Sequence, residues 1–225
     1  MDELSEQEQW DQLKGWVRSN GPQVVIMVAV MLLGVAGWKW WRAHGEQQAL
    51  AASTAYQAII VRFDDDKSAE AMVLIETLRS EYPKSPYVSA ADMVAARVFV
   101  ESNQLDKAAA ALERVASSAR DAKLRPIAQI RLARVQSAQG HYDVALATLG
   151  SVSLGRQEAA RLEARGDILL AKGDLAGGLA EYQAARKLHG AAVEDDSGDE
   201  GNAAELLDLK IADVQAFVPA AAAKP

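Results

Sequence analysis

Residues 133–145 read ARVQSAQGHYDVA and contain the pattern that decides the fold. A small residue, Ala133, lies seven positions before the turn residue Gly140, and a second one, Ala145, lies five positions after it. Two helices of a hairpin can approach closely only where both carry a small residue, so this spacing predicts a tight helical hairpin. The same arrangement recurs around two other turns, in residues 96–108 and 166–178.

The turns of these units superimpose on Asn103, Gly140 and Gly173, with Asp66 as a weaker first member. They follow one another at intervals of 37, 37 and 33 residues, which is the spacing of helix-pair repeats. No segment alternates apolar and polar residues as a strand does. We therefore predict an all-α chain that forms a solenoid of helix hairpins, with a C-terminal helix over residues 203–217 capping the last repeat.

Upstream of the repeats, residues 24–41 read VVIMVAVMLLGVAGWKWW. This run predicts a single N-terminal transmembrane helix over residues 22–42, because about 20 apolar residues cross the hydrocarbon core of a bilayer. Tryptophans at its end suit the headgroup region. The alternatives are a buried core helix and a cleaved signal peptide, and the acidic residues before the run disfavour the latter.

Orientation in the membrane does not follow from charge. Lys14 and Arg18 precede the apolar run, and Lys39 and Arg42 follow it, so the positive-inside rule gives no preference. Residues 20–22, Asn-Gly-Pro, predict a turn before the helix. The remaining segments are a tail at 1–21, a helical domain at 43–217 that includes an acidic flexible loop at 191–202, and a disordered tail at 218–225.

Composition excludes several classes of protein. The chain has 225 residues and a formal net charge of -7, whereas a nucleic-acid binder normally carries a basic surplus. It contains no cysteine, so disulfides and thiolate metal sites are excluded. The three histidines have no partner at metal-ligand spacing, and no nucleophile elbow or phosphate loop occurs. We expect no catalytic site, no metal and no cofactor.

The centre of the helical domain is basic although the protein is acidic. Between residues 114 and 165 there are nine Lys or Arg and four Asp or Glu. One interpretation is a binding surface for an acidic or backbone-rich partner, and the other is a solvated helix face.

The small residues beside each turn resemble the tetratricopeptide repeat family, in degenerate form. In that family the first helix of each pair lines a concave groove, which predicts a partner-binding surface here. The residues predicted to form this partner-binding surface are Met93, Arg97, Val100, Ile130, Arg134 and Ser137. Arginine forks suit carbonyls and carboxylates of extended chains. The acidic stretch at 194–200 is a candidate occupant of the same groove when no partner is bound.

The order and spacing of several marks resemble the YfgM family, ancillary subunits of the bacterial Sec translocon. These marks include Gly37 to Trp41, Ala55-Tyr56-Gln57, Ile130 to Gln136 and Leu169 to Asp174. The resemblance implies a bacterial inner-membrane protein with a cytoplasmic N-terminus and a periplasmic repeat domain. Implied partners are translocon subunits, a membrane-anchored prolyl-isomerase-like chaperone and unfolded exported proteins. The alternative function is a membrane-anchored scaffold for another envelope-assembly complex.

Overall fold

The computed structural model describes residues 6–152, 155, 157–191 and 198–217. Within these ranges all regular structure is α-helical, which confirms the predicted all-α class. The helices are α1 Glu6–Asp64, α2 Ser68–Glu81, α3 Tyr87–Glu101, α4 Leu105–Ser118, α5 Leu124–Ala138, α6 Tyr142–Gly150, α7 Glu158–Lys172, α8 Leu175–Ala191 and α9 Gly198–Phe217. The chain forms two compact units, Met1–Ala51 and Ala52–Pro225.

The first unit contains the apolar run predicted to cross a membrane. Within α1, the segment Val25–Asp64, near the N-terminus, is long and apolar enough to cross a membrane. The apolar side chains from Val25 to Trp41 are exposed, whereas those of a core helix would be buried. The turn predicted at residues 20–22 is wrong, because α1 is helical there. The Asn20 side-chain amide donates to the Trp16 carbonyl oxygen four residues back, at 3.2 Å, a contact that a helical backbone accommodates.

The second unit repeats a helical hairpin closed by a left-handed turn residue. Asp66, Asn103, Gly140 and Gly173 have φ values of 59°, 55°, 81° and 94°. These are the same four residues on which the turns superimpose in the sequence. Glycine and asparagine adopt this backbone region more readily than other residues, which explains why they end three of these first helices.

Small residues lie where the predicted hairpins cross. Ala96 and Ala108 belong to one buried cluster with Leu112 and Val115, between α3, α4 and α5. Ala133 and Ala145 are fully buried in the next cluster, between α5, α6 and α7. The first hairpin has Ile59 in place of a small residue, and Ile59 is fully buried against α2 and α3.

Helix α9 covers α8 and ends the solenoid. Leu207 and Val214 are buried against Tyr182 and Ala185 of α8, which confirms the predicted capping helix. The predicted loop at 191–202 is too long, since Ala191 ends α8 and residues 198–202 form the first turns of α9. Residues 192–197 of that loop, and the tail at 218–225, lie outside the described residues.

Candidate partner-binding groove

A cavity of about 420 Å³ opens between α3, α4 and α5. It contains four of the six residues predicted to line a groove: Met93, Arg97, Val100 and Arg134. Apolar side chains form its floor, and arginines stand at its rim. The complete lining is Met93, Ala96, Arg97, Val100, Leu105, Leu112, Arg131, Arg134, Val135 and Ala138. We call this surface the α3–α5 groove.

Two of the predicted residues are placed elsewhere. Ile130 is only 4% exposed and packs with Ala164 and Ile168 of α7. Ser137 is partly buried and does not line the cavity. The prediction of Ile130 as a groove residue is therefore wrong, whereas that of Ser137 stays a prediction. The physical reason is that α7 packs against α5 and covers the Ile130 side, which leaves a neighbouring face of α5 for the groove.

The face of α5 that lines the groove follows helical spacing from Arg131. Arg131, Arg134, Val135 and Ala138 recur three and four residues apart, as one side of an α-helix does. On α3 the corresponding face consists of the cavity-lining residues between positions 93 and 100. Sequence reasoning missed Arg131, although it stands three residues before an arginine that was predicted to line the groove.

The three arginines of the groove differ in how their charge is balanced. Arg97 pairs with Glu101 on its own helix at 2.9 Å, and its guanidinium lies 4.8 Å from the centre of the Phe63 ring. Arg134 lies 4.0 Å from carboxylate oxygens of both Glu163 and Asp167 on α7. Arg97 and Arg134 therefore already have intramolecular partners.

Arg131 has no such partner among the residues that the structure describes. Burial lowers the pKa of its guanidinium, and the like charges of Arg134 and Arg97 lower it further. A partly desolvated cation beside two other cations is electrostatically unfavourable unless an anion or a carbonyl oxygen approaches it. Arg131 is thus the residue of the groove with the most to gain from a bound acceptor.

Acidic side chains behind the groove connect it to the capping helix. Lys210 of α9 donates to Glu163 at 2.7 Å and to Asp167 at 2.8 Å, the same two residues that face Arg134. The Tyr182 hydroxyl donates to Asp167 at 2.6 Å. Burial, followed by this bond to a carboxylate, raises the pKa of Tyr182. The cluster joins α5, α7, α8 and α9 around shared carboxylates.

The sequence of this chain matches known proteins over most of its length. A family model described as a tetratricopeptide repeat-like domain matches residues 14–216. The chain is 31% identical to the ancillary SecYEG translocon subunit of Escherichia coli strain K12 over 183 residues, which cover 81% of this chain and 88% of that protein. It belongs to the ancillary SecYEG translocon subunit family.

Other members of the ancillary SecYEG translocon subunit family match over similar lengths. The Haemophilus influenzae protein is 30% identical over 76% of this chain and 83% of its own length. The Neisseria gonorrhoeae protein is 27% identical over 92% and 96%. Among solved structures, a variant of a Podosopora anserina putative kinesin light chain with nearly identical TPR-like repeats has a TM-score of 0.51 at 16% identity. It covers 73% of this chain and 94% of that one, and the likeness concerns the fold alone.

Proposed function

We propose that the protein is a non-catalytic accessory subunit of the Sec translocon in the bacterial inner membrane. Residues 22–42 anchor it, the N-terminus is cytoplasmic, and residues 43–217 lie in the periplasm. Relatives over most of the chain are named for the translocon, which supports this assignment. The orientation rests on the family resemblance, because the charges that flank the anchor are balanced.

The observation that carries the binding role is the α3–α5 groove, in which three arginines surround an apolar floor. An apolar floor accepts side chains of many shapes, and guanidinium groups donate to backbone carbonyls and carboxylates. Such a surface suits extended chains with little sequence preference. We propose that it holds emerging exported proteins and passes them to a membrane-anchored prolyl-isomerase-like chaperone of the periplasm.

The chemistry of the groove also supports a non-catalytic role. Its titratable side chains are arginines, which stay protonated near neutral pH and cannot exchange protons with a substrate. General acid–base catalysis requires groups whose pKa lies near the working pH. In the described part of the chain, no group of three His, Asp or Glu residues is arranged to hold a metal ion.

Site-specific photo-crosslinking in native membranes tests this function. A photoreactive residue replaces Val100, which lines the groove and is 44% exposed, and in a second strain it replaces Val73 of α2, which is 67% exposed and outside the groove. We expect translocon subunits and exported chains to crosslink at position 100 more strongly than at position 73. Equal crosslinking at both positions would contradict the groove. Recovery of a different envelope complex, without translocon subunits, would favour the scaffold alternative.

A further inference from the structure

A second cavity, of about 220 Å³, lies between α2, α3 and α4 and shares no lining residue with the α3–α5 groove. Three of its lining residues are arginines, three are serines and one is an aspartate. The lining is Arg79, Pro83, Ser85, Val88, Ser89, Asp92, Arg114, Ser118 and Arg120. Neither the fold nor the proposed function explains why three cations meet here in an acidic protein.

Asp92 organises this cavity from within. Its side chain is 6% exposed, and it accepts hydrogen bonds from Arg79 of α2 and from Arg114 of α4. One carboxylate thus holds two guanidinium groups from different helices next to each other. Arg120 adds a third positive charge, and it has no ion-pair partner within the described ranges. Glu76, outside the lining, also pairs with Arg79 at 2.5 Å, so the three arginines keep a surplus of one positive charge over the two carboxylates, which favours an anion.

Arg79 also has a donor that nothing in the described residues satisfies. Its Nε is buried and makes no hydrogen bond, although its two other nitrogens bond to Glu76 and Asp92. Leaving a buried donor of a charged group without an acceptor costs stability. Native proteins therefore rarely leave such a donor unpaired, and an ordered water or a bound ion is a common explanation.

Hydroxyl groups and a helix end complete the lining. Ser85 precedes α3, and Val88 and Ser89 belong to its first turn, so the positive end of the α3 dipole faces this region. The Ser118 hydroxyl donates to the Arg114 carbonyl oxygen at 2.6 Å. Ser85 accepts from the Tyr87 backbone N–H at 3.2 Å, which leaves its own hydroxyl proton available.

We propose that the Arg79–Arg114–Arg120 cavity binds a phosphate group. Three guanidinium groups that line one cavity offer more donors than a single carboxylate accepts, whereas a phosphate monoester or inorganic phosphate presents several strong acceptor oxygens. Guanidinium forks and serine hydroxyls donate to several phosphate oxygens at once. The phosphate comes from a free ion or from a headgroup with a terminal phosphate, and both present the same oxygens.

Phosphate binding by the full chain in detergent tests the proposal. Calorimetric titration with inorganic phosphate gives the Kd for the parent, for Arg120→Gln and for Lys84→Gln. Lys84 is exposed, lies beside the cavity in sequence and does not line it, so it controls for general loss of charge. We expect Arg120→Gln to weaken binding by about tenfold or more, because it removes a charged donor, and Lys84→Gln to bind like the parent.

Two further measurements complete the test. Thermal melting shows that each variant is folded, and a competition experiment identifies the source of the phosphate. At one phosphate concentration, the melting temperatures of the parent and of Ser89→Ala are expected to rise, and that of Arg120→Gln is expected to rise less, because this variant binds phosphate more weakly. If glycerol 3-phosphate binds more tightly than inorganic phosphate, the ligand is a headgroup with a terminal phosphate. If inorganic phosphate binds more tightly, the ligand is the free ion. Absence of saturable phosphate binding by the parent, or equal loss in Arg120→Gln and Lys84→Gln, overturns the proposal.

Discussion

Gly166 of α7 and Gly178 of α8 lie so close that a Cβ atom built on either would sit 3.2 Å from the backbone carbonyl oxygen of the other. These two residues occupy the small positions of the last repeat, seven before and five after the turn at Gly173. The two helices can therefore approach to this distance only because neither carries a side chain at the crossing.

Replacement of Gly166 by alanine is expected to destabilise the protein by about 1–3 kcal/mol. The added methyl group would also lie 2.5 Å from the Tyr182 ring, which is held in place by its hydrogen bond to Asp167. Thermal unfolding of the full chain in detergent measures the change. Gly150→Ala is the matched control, because a Cβ there meets open space. A Gly166→Ala protein as stable as the control would contradict the close crossing.

Overpacking the middle repeat provides a second test of the repeat register. Ala145 is fully buried in one cluster with Ala133, so Ala145→Leu should cost about 1–3 kcal/mol in the free energy of unfolding. Ala147, two residues later in α6, is exposed, and Ala147→Leu should change stability by less than about 0.5 kcal/mol. Equal effects of the two leucines on chemical denaturation would show that the register is wrong.

The left-handed turn residues predict a backbone effect that does not depend on packing. Gly140 has φ +81°, and a Cβ built there meets open space, so Gly140→Ala should cost about 1 kcal/mol from backbone strain alone. The control is Gln104→Ala, an exposed turn position with φ -96°, which should be close to neutral. Denaturant midpoints of the two variants provide the comparison, and a neutral Gly140→Ala would refute the assigned conformation.

Replacement of Arg131 is expected to weaken partner binding without lowering the stability of the protein. Arg131→Gln removes a partly desolvated cation that lies beside Arg97 and Arg134, so the free energy of unfolding should stay equal or rise slightly. Crosslinking of exported chains at position 100 should fall several-fold in the same variant, because the groove loses its unpaired donor. The exposed Lys187→Gln serves as the charge control. A loss of stability without a loss of crosslinking would assign Arg131 a structural role instead.

Glu158 and Arg161, in the first turn of α7, predict a dependence of stability on pH. Arg161 donates to the Glu158 carboxylate at 2.7 and 2.9 Å, and these bonds lower the pKa of Glu158 below its ordinary value of 4.5. A carboxylate whose pKa is lower in the folded state contributes stability above its unfolded pKa and loses it as the pH falls through the folded pKa. The parent should therefore exceed Glu158→Gln in stability at pH 7, and this difference should disappear as the pH falls below 4.5.

The matched control for this pH effect is the same substitution in an Arg161→Gln background. There the carboxylate has lost its donor, so Glu158→Gln should alter stability equally at pH 7 and at acidic pH. A pH-dependent difference of the original size in that background would attribute the lowered pKa to another group.

The repeat architecture could be predicted from sequence because its signals are local. Turn residues and small crossing residues recur at fixed spacing, and the structure gives all four aligned turn residues a positive φ. The composition of the groove could be predicted only in part. Repeat spacing placed Ile130 in it, but which face of α5 stays open depends on how α7 packs, and that is a property of the next repeat rather than of α5 itself.

The cluster around Asp92 illustrates what sequence spacing could not indicate. Asp92 joins Arg79, thirteen residues before it, to Arg114, twenty-two residues after it, and no helical period relates these positions. A buried aspartate in a helix is visible in sequence only as a polar residue among alanines. Its partners become known only when three helices have been placed in space.

The acids behind the groove give the capping helix an influence on a surface it does not touch. Arg134 and Lys210 compete for Glu163 and Asp167, and Lys210 holds them at 2.7 and 2.8 Å while Arg134 stands 4.0 Å away. The lysine thus takes up counter-charge that would otherwise screen the arginine. The positive potential of the groove is consequently strengthened by a residue near the far end of the domain, and neutralising Lys210 would make the groove less attractive to anions although Lys210 is not part of its lining.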